Sequence, residues 1–280
     1  MTNRTNSART GARANKTLSK RYWLLVTALA LLTSAFQVQA LPIEFNATYL
    51  ASARGMALGR AEMQFERNRD GEYNYQSHLR PRGVIALLYR NEIEEKSRGV
   101  IENGQIIPHR YDYIRTGRGG REDHIDFPEQ PGGVSTLHYK GDSREQQLPE
   151  HVIDQMSLHL AMMNDIAAGE EEMRYLIAQP RRLRVYAVTV KGRDEIRTRE
   201  GTFEAIRVEV TGQLRIDEED EADFDLDAAE LPPYTGGDET IFWFAPDLSY
   251  LPVRIRHVDE DDGAVELELE RLKSLTPDRR

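Results

Sequence analysis

The chain has 280 residues, with 37 Lys and Arg against 47 Asp and Glu, 39% hydrophobic residues and no cysteine. Its 30% charged content and mean hydropathy of −0.61 exclude a multi-span membrane protein, and a formal charge of −10 argues against nucleic-acid binding. Without cysteine, disulfide frameworks, thiolate zinc sites, iron–sulfur clusters, Cys nucleophiles and the lipid-carrying cysteine of a bacterial lipoprotein are excluded together.

Residues 1–40 read as a secretory signal peptide. Six bases (Arg4, Arg9, Arg13, Lys16, Lys20, Arg21) with no acid precede the apolar run from Trp23 to Phe36, and Val38-Gln39-Ala40 supplies a cleavage site before Leu41. Cleavage leaves 41–280 as one β-rich periplasmic domain with no integral membrane segment. Its 31 bases against 47 acids give a net charge of −16, which repels anionic surfaces.

Most of this domain alternates apolar and polar residues with period two, the signature of strands with one wet face. Strand-like runs are 43–51, 60–66, 72–80, 89–98, 106–116, 121–127, 134–140, 183–190, 194–200, 206–210, 239–244, 252–258 and 264–271. Turn signals such as Asp70-Gly71, Asn103-Gly104, Gly141-Asp142, Lys191-Gly192 and Asp262-Gly263 separate them, which implies antiparallel meanders. From Pro149 to Gly169 the spacing changes. Val152, Met156, Leu160, Met163 and Ala167 fall on one helical face, with Asp154 as N-cap, Ser157 three residues on and Gly169 as the stop. The predicted fold is a curved antiparallel sheet, or an open or closed β-barrel, with one amphipathic helix over 150–168 packed on or into it.

Residues 217–230 hold nine acids in fourteen positions, and the stretch to Asp238 adds two prolines and two glycines, so 217–238 reads as an acidic loop. Asp223, Asp225 and Asp227 imitate a calcium loop, but Ala228 stands where the turn needs glycine and Tyr234 where the closing glutamate belongs, so an EF-hand is rejected. In the C-terminal hairpin, folding about Asp261 pairs Arg256 with Glu266, Ile255 with Leu267, Arg254 with Glu268 and Val253 with Leu269, with the apolar pairs inward.

Several patches together resemble an exported bacterial family of unknown function, family 3108. They are Gly55-Met-Ala-Leu-Gly-Arg-Ala61, Asp154-Gln-Met-Ser157, Val190-Lys-Gly-Arg-Asp-Glu195 followed by Thr198-Arg-Glu-Gly-Thr-Phe203, and Ile241-Phe-Trp-Phe-Ala-Pro-Asp-Leu-Ser-Tyr-Leu-Pro-Val253. The resemblance covers roughly 43–272 and implies a periplasmic β-rich protein without supplying catalytic residues. As scaffold, Gly192 and Gly201 read as turn positions needing positive φ.

Chemistry-bearing residues are sparse. Among the histidines no pair has HExxH spacing, and His124 with His138, on neighbouring predicted strands, is the pair that could assemble a metal site across strands. Asp154, Ser157 and His159 invite comparison with a nucleophilic triad, but i and i+2 on a helix do not face each other. No catalytic residue, metal ligand set or cofactor is therefore assigned. The favoured reading is a non-enzymatic periplasmic protein of the cell envelope that binds an apolar or lipid-like ligand between sheet and helix. Met156, Leu160, Met163 and Trp243 would line the cavity, in outline like periplasmic lipid carriers. The alternative is an envelope assembly or protein-interaction factor with a solid core and a protein partner, and a hydrolase comes third.

Overall fold

Alternate residues of the first strand, β1 (Phe45–Ala53), are buried: Phe45, Ala47, Tyr49 and Ala51 face the core. The computed structural model that shows this describes residues 44–83, 86, 91–117, 119–128, 133–216, 226, 239–259 and 263–274. The leader expected over 1–40, and all of the acidic segment 217–238 except Leu226, lie outside the described residues.

The same alternation continues in β2 (Met56–Arg67), which buries Ala61, Met63 and Phe65, and in β3 (Glu72–Pro81), which buries Tyr73 and Tyr75. The chain runs on through β4 (Ile93–Glu102), β5 (Gln105–Arg115), β6 (Arg121–Asp126), β7 (Val134–Tyr139) and β8 (Asp142–Gln147), each antiparallel to the strand before it. A two-residue strand β9 (Ile153–Asp154) and helix α1 (Ser157–Ala168) follow. A second meander comprises β10 (Glu172–Gln179), β11 (Arg182–Arg197), β12 (Thr202–Ile216), β13 (Glu239–Ala245), β14 (Leu251–Asp259) and β15 (Gly263–Ser274).

Among the described residues these strands form one 15-stranded sheet in the order β8-β7-β6-β5-β4-β3-β2-β1-β15-β14-β13-β12-β11-β10-β9. Pairing is antiparallel except between β9 and β10, and the sheet stays open rather than closing into a barrel. Its two edges, β8 and β9, are nonetheless consecutive in sequence. Residues 148–152 alone join them, and so short a link spans at most about 20 Å. The sheet must therefore curl until its edges approach each other.

The helix differs from its sequence reading. It starts at Ser157 and not at Glu150, with Met156 and not Asp154 at the N-cap position, because Ile153 and Asp154 pair with Ile177 and Ala178 of β10 and His151 takes a positive φ of 61°. It is also buried on more than one face: Leu158, Met162 and Ile166 are as enclosed as Leu160 and Met163. A helix that is apolar most of the way round belongs inside a structure, and here the curled sheet surrounds it. Gly169 ends the helix as expected, at φ 91°, with Glu170 N–H donating to Asp165 O at 3.0 Å.

Three strands were missed. β8 is almost wholly polar, β9 is too short to show a period, and four consecutive residues of β10, Tyr175 to Ala178, are buried, which hides alternation. Lys191-Gly192 is not a turn: β11 runs through it as one 16-residue strand, and Gly192 at φ 126° occupies a bulge in the β11–β12 ladder. Gly201 does lie in a turn, held by Thr198 N–H to Gly201 O at 2.8 Å, but without positive φ. The C-terminal register is as read for Arg254–Glu268, Ile255–Leu267 and Arg256–Glu266. The ladder runs on to Asp259–Gly263, whereas Val253–Leu269 is not among its described pairs; Val253 sits at an irregularity of the β13–β14 ladder. The ion pairs also shift toward one partner: Arg254 reaches both Glu268 (2.7 Å) and Glu266 (3.4 Å).

Candidate functional site

The segment joining the two sheet edges delivers the most concentrated chemistry in the protein. Asp154 is fully buried, and from two residues ahead of the N-cap position Met156 its Oδ1 accepts the backbone N–H groups of Met156 and Ser157, both at 2.8 Å. Its Oδ2 accepts the hydroxyls of Ser157 (2.7 Å) and of Ser97 on β4 (2.6 Å). The Tyr73 hydroxyl of β3 lies 3.0 Å from both serine oxygens and completes the cluster. Two residues further along the same face of β4, Glu95 accepts the Tyr111 hydroxyl at 2.6 Å. Burial pushes both carboxyls above their ordinary range, against the pull of their hydrogen bonds.

This cluster fastens the helix start to the opposite wall of the sheet. It explains the Asp154-Gln-Met-Ser157 patch as an attachment point whose hydroxyls and carboxylate saturate one another. Ser157 and Asp154 do meet, as in a triad, but His159 points elsewhere. Its Nδ1 lies 3.4 Å from the Tyr75 hydroxyl, and its ring packs edge-on against Tyr75 and Phe242. Burial lowers its pKa to about 4. A base with a depressed folded pKa leaves the unfolded chain to take the proton first, so its effect on stability is absent above about pH 6.5 and grows as pH falls toward 4. At pH 5, wild type should therefore have lost about 2 kcal/mol relative to pH 7.5 that His159→Phe does not lose, measured as the difference between their urea-unfolding curves.

The expected lining residues do not come together. Met156, Leu160 and Met163 are all at or below 2% exposure, in the core between sheet and helix. Trp243 lies on the sheet face opposite Phe242 and Phe244, and its indole N–H donates to Asp194 at 2.8 Å. None of the four lines the described groove that has the most apolar wall. That groove, of about 620 Å3, runs beside the helix and not beneath it. Val100, Ile106, Phe127, Leu148, Val152 and Leu176 supply its apolar walls, Ala161 is the part of α1 that faces it together with Asp165, and Glu102, Glu150 and Arg174 are among its charged lining residues. A larger hollow of 780 Å3 is bounded by Glu44, Arg67, Lys96 and Arg98 and offers little apolar surface.

The sequence missed Tyr73, Glu95, Ser97 and Tyr111. The available signal was that Glu95 and Ser97 occupy the same face of β4 as Ile101, so polar groups sit in an inward row and need partners there.

No curated protein is similar to the chain at a significant level. Among solved structures, the β-barrel-like protein of the DUF1849 domain of unknown function from Brucella abortus superposes with a TM-score of 0.53 at 10% identity, covering 83% of this chain and 98% of that one. A lipoprotein candidate from Parabacteroides distasonis (TM-score 0.36, 12% identity, 84% and 98% coverage) and an exported-protein candidate with a YmcC-like fold from Bacteroides fragilis (0.30, 10%, 83% and 98%) are more distant. The fold likeness rests on the first. A family model described as "Protein of unknown function (DUF3108)" matches residues 44–270, most of the chain, and the protein thus belongs to the DUF3108 family.

Proposed function

We propose that this protein is a non-catalytic component of the bacterial cell envelope, exported to the periplasm by residues 1–40, that holds an apolar or lipid-like chain in the groove beside α1. The observation that carries the reading is the groove itself. Its volume falls within the roughly 300–1,000 Å3 of small-molecule sites, and its wall is more apolar than polar, with charged groups such as Glu102, Glu150, Asp165 and Arg174 among the lining residues. This moves the ligand from beneath the helix to its outer flank, since Met156, Leu160 and Met163 are spent on packing. Among the described residues no helix is long and apolar enough to cross a membrane.

The test is a titration with a fluorescent 16-carbon acyl probe. Ala161→Trp, which fills the groove from a half-buried position, should weaken binding by more than about tenfold while leaving the unfolding midpoint nearly unchanged. Absence of saturable binding to wild type would defeat the proposal. A second reading, an assembly or protein-interaction factor with a solid core, is favoured by the close burial of the methionine stripe. It gains if the probe does not bind and an envelope protein co-purifies from the periplasm. The hydrolase reading loses ground because the Ser157 hydroxyl is buried and donated to Asp154.

A further inference from the structure

Inward residues of β6 and β7, Ile125 and Leu137, are fully buried, so His124, Asp126 and His138 face outward on the convex side of the sheet. His124 and His138 stand directly opposite each other, and their rings stack with centroids 3.7 Å apart. Asp126 is two residues along from His124 on the same face, with its Oδ2 3.8 Å from His124 Nε2. One ligand atom from each residue lies within 4.8 Å of the other two.

We propose that His124, His138 and Asp126 form a binding site for a divalent transition-metal ion such as Zn2+ or Ni2+. The donor set, two imidazoles and one carboxylate, suits these ions and not Ca2+ or Mg2+, which prefer oxygen alone. Neighbouring side chains already orient the donors. Ser143 on β8 is hydrogen-bonded to His138 Nδ1, which leaves Nε2 for the metal. Arg110 on β5 donates to Asp126 Oδ1 at 2.6 Å and to Asp112 at 2.8 Å, so Asp126 keeps Oδ2 turned toward His124. His124 Nδ1 is buried without a hydrogen-bond partner among the described residues, and its Nε2 is the nitrogen that faces Asp126, at 3.8 Å. Tetrahedral zinc at about 2.0–2.1 Å from each nitrogen requires donors about 3.3 Å apart. The histidine rings must therefore splay from their stack by side-chain rotation, which their outward setting allows without moving the strands. Water completes the coordination. None of the three residues lines the groove beside α1, so this site stands or falls independently of the acyl-chain proposal.

Equilibrium dialysis of the purified protein against Zn2+, in the presence of millimolar Ca2+ to occupy acidic segments, should find one tightly bound equivalent. His124→Ala and His138→Ala should each weaken it by more than about tenfold, and the double variant should abolish it. In NMR spectra the ring carbons of His124 and His138 should shift on adding Zn2+ while those of buried His159 stay in place. Far-UV circular dichroism of His124→Gln/His138→Gln should match wild type, so that lost zinc binding in this variant reports on the site and not on unfolding. Zinc binding that survives the double variant, is displaced by Ca2+, or leaves both ring signals unmoved would overturn the site.

Discussion

Replacing Asp154 by alanine should cost about 3–5 kcal/mol, among the largest losses available from one side chain in this protein. The change strands two buried backbone N–H groups, each worth about 1–3 kcal/mol when left unpaired, and leaves the Ser97 and Ser157 hydroxyls only each other and Tyr73 as partners. It also relieves the cost of burying a carboxylate whose pKa is already raised, so the sum falls below the simple total. Asp154→Asn keeps an oxygen for the two N–H groups, and the serine and tyrosine hydroxyls can rotate to accept from the new amide. Its cost should be about 1–2 kcal/mol. Urea unfolding at pH 7 distinguishes the two. An alanine variant within 1 kcal/mol of wild type would show that the helix start is not fastened through this carboxylate.

Along β15, one face grades from fully buried to open. Leu269 is at 0% exposure and is paired with Tyr49 of β1, Leu267 is half-buried, and Val265 is 37% exposed. Leu269→Asp should therefore prevent stable folding, with a cost above about 5 kcal/mol for a charge without a partner. Val265→Asp, four residues away on the same face, should change stability by less than about 0.5 kcal/mol. Soluble yield and unfolding midpoints test the pair. Equal effects would mean that the hairpin's inner face does not deepen toward the centre of the sheet.

Sequence periodicity was a reliable guide where one face of a strand is wet. Ala61, Met63 and Phe65 alternate with charged neighbours, and the Arg254–Glu268 register follows from pattern and turn together. It failed where burial is two-sided or absent. Tyr175 to Ala178 are all enclosed, Asp142 to Gln147 present hardly any apolar side chain, and Lys191-Gly192 has turn chemistry inside a continuous strand. The helix pattern was read as a stripe because Met156, Leu160 and Met163 fit one face. Leu158, Met162 and Ile166 carried the contrary information that the helix is enclosed. That Asp154 and Ser157 belong to the helix start was legible from local rules. Ser97, which donates to Asp154, and Tyr73, which meets both serines, were not, because they arrive from strands 57 and 84 residues away, through a curl that no local spacing encodes.

The strand order bears on how the chain reaches this state. Every neighbouring pair in the sheet is consecutive in sequence except one, β1 with β15, which joins Phe45 to Ser274. Two runs of sequence-neighbouring strands can therefore zip locally and early, most of them closing short loops at small entropic cost, with the 22 residues between β12 and β13 as the longest link. Their union waits for the last strand, since among the described residues β1–β15 is the pairing that bonds the first half to the second along the sheet. A chain made amino end first would thus hold an open β1 edge until nearly the whole polypeptide is present, an interval in which that strand is exposed to mispairing.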